Sequence, residues 1–454
     1  MSKPDYQPTL EQIALAEEKR AKRAKLAATI PTAPKAIVVD VVKGRILPRK
    51  WINLPTTEGS KESMRVKIMT WNLLAQILVR RELFPTSDCL KASQREHMIY
   101  NEILTHKADI ACMQEVDRLE KLLPVLNEAG YDHAYTSGPQ KKHGCLIAFA
   151  REKFEKVAEK TVYYDNEEIR SEGDEQCRIG SSFRTKNIGF IVALRGVGSA
   201  TSAEERGVIV ATTHLFWHPR YTYERARQAG ILVREVFKFR ETIGHEDWPC
   251  IISGDFNFGP DDPGYSLLVG DPLLAAQEDR MAPSRVVHRS LDPSIPPTSA
   301  KVPGDEDEGG GGEESKSDKL KVITNARPAR ASDGLMSPSE LAMLFANPVH
   351  SAYEEGLTKL RKSSANIPTY GDNVAIHPAR RGANEPEWTS YTHFWQAVLD
   401  YIFVLDPKGG HSSVVGFAEP HQTKDLQPGL PRQGVCGSDH VSLCAEIVLE
   451  NRQN

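Results

Sequence analysis

The chain lacks any apolar run near the length of a membrane span, and it lacks the charged start and apolar core of a secretory signal. Both absences point to an intracellular protein outside the membrane, with the cytoplasm as the expected compartment and the nucleus as the alternative. Cysteine is sparse: Cys89, Cys112, Cys145, Cys177, Cys250, Cys436 and Cys444 are scattered, and no two stand at a Cys-x-x-Cys spacing. That pattern excludes a disulfide framework and a cysteine-rich zinc site, and most of these thiols lie in apolar runs that read as core. Charge of one sign is lacking too, since the formal net charge is only −4 over 454 residues. Residues 304 to 318 hold seven acids against Lys316 alone, so without that segment the figure becomes +2 and a local basic groove is open to the fold. Internal repeats are absent.

What is present divides into three parts. Residues 1–63 read as a charged tail, with an Ala-rich helix candidate around Glu17 to Lys25 followed by Pro31, Pro34 and Pro48. Its basic cluster suits RNA or a nuclear signal, although a solvated helix face is the commoner meaning of such a run. Its acids argue against a mitochondrial leader. Residues 64–450 read as a catalytic domain, and 283–330, rich in Pro, Ser, Gly and acids, as a disordered insertion within it. In the domain, strands are expected at Val66 to Asn72, Asp109 to Val116, Gly144 to Ala150, Asn187 to Leu194, Val208 to Thr213, Val398 to Leu405 and Val441 to Leu449. Helices are expected from a capping box at Ser93 to Glu96, at Leu119 to Ala129 closed by Gly130, at Thr222 to Phe239, and from Ser337-Pro338-Ser339-Glu340.

The organising stretch is Cys250 to Pro260. An apolar strand runs into Gly254, then presents Asp255 and Asn257 before Gly259-Pro260 breaks the chain. Residues two apart on a strand share a face, so this carboxylate and amide can share a pocket with Phe256 turned away. An ordinary turn is the competing reading, since Asp and Asn favour turns. The same placement recurs: Asn72, Glu115, His214, Asp400, Asp439 and His440 all fall in or beside apolar strand-like runs. Buried polar groups without partners cost a few kcal/mol, so their repetition at strand ends suggests a shared site.

Trp71-Asn72, Gln114-Glu115, His214-Leu215, Gly254-Asp255-Phe256-Asn257, Leu399-Asp400-Tyr401-Ile402 and Gly437-Ser438-Asp439-His440 stand in the order of the endonuclease/exonuclease/phosphatase superfamily motifs, and the chain resembles that family over residues 65 to 449. It is most similar to the deadenylase, nocturnin and angel group, and its Thr213 to Pro219 run, Tyr223-Glu224-Arg225 and Leu399 to Phe403 look closest to fungal Ngl-type RNA exonucleases. The resemblance implies a DNase I-like four-layer α/β sandwich, two packed mixed β-sheets flanked by helices. Phosphodiester hydrolysis needs charge neutralised at the phosphate, a base for water, and donors to the transition state. Glu115 is the expected ligand of Mg²⁺ (Mn²⁺ as the alternative), with Asn72 and Asp439 supporting the metal site. Asp255 is expected to activate water, Asn257 to hold the phosphate or water, His440 to donate to the phosphate with Asp400 keeping it protonated, and His214 to donate to the phosphate or leaving oxygen. Each of these has a structural alternative, such as a satisfied core carboxylate or a loop pair.

The resemblance also implies base contacts at Pro219, Asn257 and Trp395, and Arg225, Arg227, Lys141 and Lys142 are candidates to follow an RNA backbone. It implies an exonuclease that shortens RNA from the 3′ end to nucleoside 5′-monophosphates, acting on the 3′ end of 5.8S rRNA. Strict poly(A) specificity is not expected, because no leucine-rich repeats precede the domain and His143 stands before Gly144-Cys145 where deadenylases carry an acid. Deadenylation, a nucleotide-cofactor phosphatase and an inactive RNA-binding scaffold are the alternatives. An inositol-lipid phosphatase is disfavoured, because that branch carries Trp-Cys-Asp-Arg where Val398-Leu399-Asp400-Tyr401 stands. RNA is the expected partner and a monomer the expected state; no protein partner is legible.

Overall fold

Val66 and Ile68 stand two apart on either side of Lys67, and on a strand that spacing sends both into one apolar layer. The computed structural model describes residues 40–55, 63–197, 206–297, 322–363, 367–407 and 409–450. One sheet contains β1 (Trp51–Asn53), β2 (Met64–Asn72), β3 (Ile110–Val116), β4 (Tyr131–Ser137), β5 (Gly144–Ala150), β16 (His411–Ala418) and β17 (Leu443–Glu450), in the order β1-β16-β17-β2-β3-β5-β4. The other contains β6 (Phe154–Tyr163), β7 (Ile188–Gly196), β8 (Gly207–His214), β9 (Cys250–Asp255), β12 (His350–Ser351) and β15 (Asp400–Leu405), in the order β12-β15-β9-β8-β7-β6. Val66, Ile68, Ile110 and Ile147 of the first sheet share a core with Val192, Val210, Ile251 and Ile402 of the second. Each such aliphatic side chain stabilises the packing by about 1.5 to 3 kcal/mol.

Two pairs are parallel, β2 with β3 and β8 with β9, and the other strand pairs of these sheets are antiparallel. Parallel neighbours need a crossover. Helix α1 (Ala92–Thr105) lies in the first crossover and α3 (Thr222–Thr242) in the second, with α2 (Leu119–Glu128) leading from β3 to β4. Ala229, Leu232, Val233 and Val236 of α3 join Ile191, Ile209, Ala211 and Ile252 in a second core on the outer face of the second sheet. Helix α4 (Ala352–Lys362) contributes Ala352, Tyr353 and Leu357 to the core between the sheets. In each parallel pair the chain arrives at the same rim, so Asn72, Glu115, His214 and Asp255 all emerge near strand C-termini.

Several expectations need correction. The tail does not extend to residue 63: Trp51–Asn53 is an edge strand on Gly416 to Ala418, and Leu47 N–H donates to Val435 O at 3.1 Å. Residues 1–39 and 56–62, including the charged helix candidate, lie outside the described residues. The span 283–330 is not disordered throughout, because β10 (Val286–His288) pairs with β11 (Ala326–Pro328); the acidic tract at 298–321 lies outside the described residues. Helix α1 starts one residue before the proposed box, with Lys91 N–H donating to Gln94 Oε1 at 3.0 Å. The box at Ser337 is found, its hydroxyl accepting from Glu340 N–H at 3.3 Å. Strands β1, β4, β6 and β16 were not anticipated; β6 reads as polar because much of it is exposed. No helix among the described residues is long and apolar enough to cross a membrane.

An ionic cluster on the β12 edge ties the second sheet to β16. His350 lies 3.4 Å from Glu355, 3.7 Å from Asp406 and 2.9 Å from the Ser412 hydroxyl. Burial lowers its pKa, but hydrogen bonding to Asp406 and Glu355 outweighs that and raises it from 6.5 to about 9. A raised pKa makes protonation a stabiliser, fully effective below about pH 6.5 and lost as pH climbs through about 9. Melting temperature should therefore fall across that window, and His350→Gln should flatten the fall; an unchanged slope would show the cluster to be inert.

Candidate active site

Strand register assembles the site. Asp255 ends β9, where it pairs with His214 of parallel β8 and with Asp400 of antiparallel β15. On the first sheet, Asn72 pairs with Gln114, and Glu115 sits where the pairing of β3 with β5 shifts register between Met113 and Val116. A bulge re-aims a side chain, and Glu115 has a left-handed backbone at φ 56°. Non-glycine residues in that region store strain and gather at functional sites. Gly254 permits β9 to approach β8 closely, since a Cβ there would come within 2.3 Å of Thr213 O.

The side chains converge. Asn72 Nδ2 donates to Glu115 Oε1 and to Asp255 Oδ2, both at 2.9 Å. Glu115 Oε2 accepts from Ala75 N–H at 2.8 Å, and Asp255 Oδ1 from Asn257 N–H at 3.0 Å. His214 stands between the same carboxylates, Nε2 3.6 Å from Asp255 and Nδ1 3.9 Å from Glu115. His440 Nδ1 donates to Asp400 Oδ2 at 2.8 Å, and its Nε2 faces Asp255 Oδ2 at 3.7 Å. Burial works against a charged His440, yet Asp400, Asp255 and Asp439 outweigh it and hold the imidazolium well above its usual range. Burial pushes the Asp439 carboxyl up, and His440 opposes that shift.

The structure separates the remaining candidates. Phe256 is buried against Phe403 and Tyr401, as expected, but the strand ends at Asp255 and Asn257 turns into the left-handed region at φ 53°. Its amide donates to Leu215 O at 2.9 Å, so the pair meets through a turn rather than along a strand. Arg225 does not present itself to a ligand: it is 2% exposed and donates to the carbonyls of His218 and Pro219. It supports the loop that exposes Pro219. Arg227 is also buried, 3.1 Å from Glu224, and is structural. Arg227 is therefore not free to follow an RNA backbone: the segment 164–183 covers it, with Tyr164 O, Glu167 O and Ile179 O accepting from its guanidinium. Trp395 is half-buried, its indole N–H donating to Ser390 Oγ at 3.0 Å and its ring edge-on to Phe84 at 5.9 Å. Beside it Phe394 is 56% exposed at the tip joining β13 (Ser390–Tyr391) to β14 (Gln396–Ala397).

Several supporting residues carry no signal in the local sequence pattern. Thr389 Oγ1 accepts from the N–H groups of Leu399 and Asp400, at 2.8 and 3.0 Å. Ser438 Oγ donates to Asn72 O at 2.7 Å and accepts from His440 N–H at 3.2 Å. Asn187 Nδ2 donates to His214 O at 2.7 Å. A cleft of about 270 Å³ beside Glu115 and His214 is lined by Lys141, His143, Lys186 and Asn187. Lys141 faces it with Nζ 3.1 Å from Asn187 Oδ1.

Two groups of ligand atoms suit a metal ion. Asp255, Asp400 and His440 offer atoms within 4.8 Å of one another. His440, when protonated, already supplies a positive charge between those carboxylates. Glu115 and Asp255 instead bring carboxylate oxygens, the kind of donor a hard divalent cation takes, to one Asn72 amide, which turns its Nδ2 toward them while its Oδ1 accepts from Leu74 N–H at 3.0 Å. Glu115 is 8% exposed and therefore reachable.

The fold and the rim of carboxylates and histidines define a hydrolase of the two-sheet sandwich class. The chain belongs to the Endonuclease/Exonuclease/phosphatase family, whose model matches residues 69–440. It is 29% identical over 455 residues to a probable RNA exonuclease of Schizosaccharomyces pombe, covering 95% of this chain and 86% of the relative. It is 28% identical over 428 residues to RNA exonuclease NGL2 of Saccharomyces cerevisiae, covering 85% and 78%. The solved structure of ANGEL2, a 2′,3′-cyclic phosphatase, matches in fold with a TM-score of 0.55 at 19% identity, over 89% of this chain and 99% of that one.

Asp255→Asn and His440→Ala should each lower kcat by about 10² to 10⁴, the usual contribution of a positioned proton-transfer group. Circular dichroism should remain native in both. Near-normal turnover in either would remove that residue from the chemistry.

Proposed function

We propose that the protein is a divalent-metal-dependent RNA exonuclease that shortens RNA from its 3′ end and releases nucleoside 5′-monophosphates. The convergence of Glu115 and Asp255 on one Asn72 amide, beside a charged His440, carries this reading. Named RNA exonucleases align with most of the chain and support RNA as the substrate. The expected metal is Mg²⁺, with Mn²⁺ as a substitute, which Glu115 would hold and Asn72 would support by positioning that carboxylate. Once bound it supplies charge neutralisation at a nonbridging phosphate oxygen.

The chain's own residues account for the remaining steps. Asp255 Oδ2 orients water and accepts its proton, while Asn72 holds that carboxylate in place through one hydrogen bond. His440, kept charged by Asp400, donates toward the phosphate from Nε2, the nitrogen that faces Asp255. His214 lies on the other side of the same carboxylates and is placed to stabilise the leaving oxygen. Lys141 and Lys186 line the neighbouring cleft, which suits the phosphate next along the strand. Pro219, Trp395 and Phe394 offer apolar surfaces for bases. The proposed physiological target is the 3′ end of 5.8S rRNA, with poly(A) tails as the alternative.

Digestion of 5′-end-labelled RNA should give stepwise 3′ shortening that needs Mg²⁺ and stops with EDTA, faster on a 5.8S-like 3′ extension than on oligo(A). Trp395→Ala should weaken RNA binding by about 1 to 3 kcal/mol, the worth of one base stack, and leave Mg²⁺ binding alone. Free phosphate released from small nucleotides, with RNA left intact, would instead favour a nucleotide phosphatase.

A further inference from the structure

We infer that Arg95 is a positioning residue of the active site, fixing the loop after β2 and the loop before His440 relative to each other; this rests on the reading of that site as hydrolytic. Arg95 lies on α1 and is 2% exposed. Its hydrogen bonds run to carbonyls of both loops. Nε–H donates to Gly437 O at 2.6 Å, Nη2–H to Leu73 O at 2.6 Å and Leu74 O at 2.5 Å, and Nη1–H to Gln76 Oε1 at 3.2 Å. A planar fork of fixed donors can hold several acceptors at set angles, which a lysine ammonium on a flexible stem cannot.

Each arm leads directly to a candidate catalytic group. Leu74 has φ 57°, a left-handed backbone that a bulky residue rarely adopts, and its carbonyl is one that Arg95 holds. The next residue, Ala75, donates its N–H to Glu115 Oε2 at 2.8 Å. On the other arm, Gly437 precedes Ser438, whose hydroxyl joins Asn72 O to His440 N–H. Gly437 has no spare space against α1: a Cβ would come within 3.0 Å of Arg95 O, 3.1 Å of Ile99 Cγ1 and 3.2 Å of Met98 Cβ. The guanidinium charge also acts on Asp439, Asp117 and Glu115. Arg95 thus sets the separation between the Glu115 metal position and the His440 donor.

The test compares full-length wild type with Arg95→Lys, measuring steady-state RNA digestion and Mg²⁺ affinity by calorimetry. Positioning predicts that kcat falls by about a hundredfold, as small misplacements of reacting groups do, while KM for RNA changes little. It also predicts weaker Mg²⁺ binding, because Ala75 no longer holds Glu115 in place. Leu357→Ala, in α4 and away from both loops, serves as the control: it should lower the melting temperature and leave both quantities unchanged. If Arg95→Lys does not fold, Gly437→Ala, which lifts the same loop from α1 and keeps the guanidinium, should show the same pattern. Wild-type kcat or wild-type Mg²⁺ affinity in the variant overturns the inference, as does a loss no larger than that of Leu357→Ala. Failure of the wild type to shorten RNA would sink the functional reading alone, since the Mg²⁺ titration still decides the role of Arg95.

Discussion

One amide holds the two halves of the site together. Asn72 ends a strand of the first sheet, Glu115 stands one residue before the end of its neighbour on that sheet, and Asp255 ends a strand of the second, and the Asn72 Nδ2 donates once to each carboxylate. An amide nitrogen has two donors, and both are used. Without them, two carboxylates with little exposure would share only the longer contacts of His214, and like charges left so close raise a pKa and push the groups apart. The sandwich can place strand ends at one rim by packing, but apolar packing is non-directional and does not by itself fix their relative height. Directional hydrogen bonds remove that freedom.

The charge pattern follows from the same geometry. Four carboxylates, Glu115, Asp255, Asp400 and Asp439, are buried at this rim. A site of that sign repels a phosphodiester unless positive charge is brought to it. His440 supplies one positive charge through its bond to Asp400, and the divalent cation proposed at Glu115 would add two more. The left-handed backbones of Leu74, Glu115 and Asn257 surround the same point. Such conformations persist where the surroundings over-determine them, and here the bulge in β3, the Arg95 fork and the turn after β9 do so.

Much of this was legible in the sequence for a physical reason. Carboxylates, amides and imidazoles at the ends of apolar strands are unfavourable unless paired, so Asn72, Glu115, His214, Asp255, Asp400 and His440 stood out before any coordinate. The structure brings all of them to one rim. Motif order further pointed to the two-sheet sandwich. Arg225 and Arg227 misled because charge on an amphipathic helix normally marks the solvent face. Their burial depends on loops distant in sequence, which no local pattern reveals. Arg95 was readable in principle, since it shares a helical stripe with Met98, Glu102 and Ile103, all buried. The β10 and β11 pair was hidden because its strands are short and separated by the acidic tract, so composition outweighed pattern.

The central claim is that a divalent cation binds on the oxygen donors that meet at Asn72 and leaves the imidazolium of His440 free to act. Anomalous diffraction from crystals soaked in Mn²⁺ tests it directly. The account predicts a peak beside the Glu115 carboxylate and the Asn72 amide, with His440 still bonded to Asp400. A peak between Asp400 and His440, or full occupancy elsewhere with Glu115 empty, would contradict it.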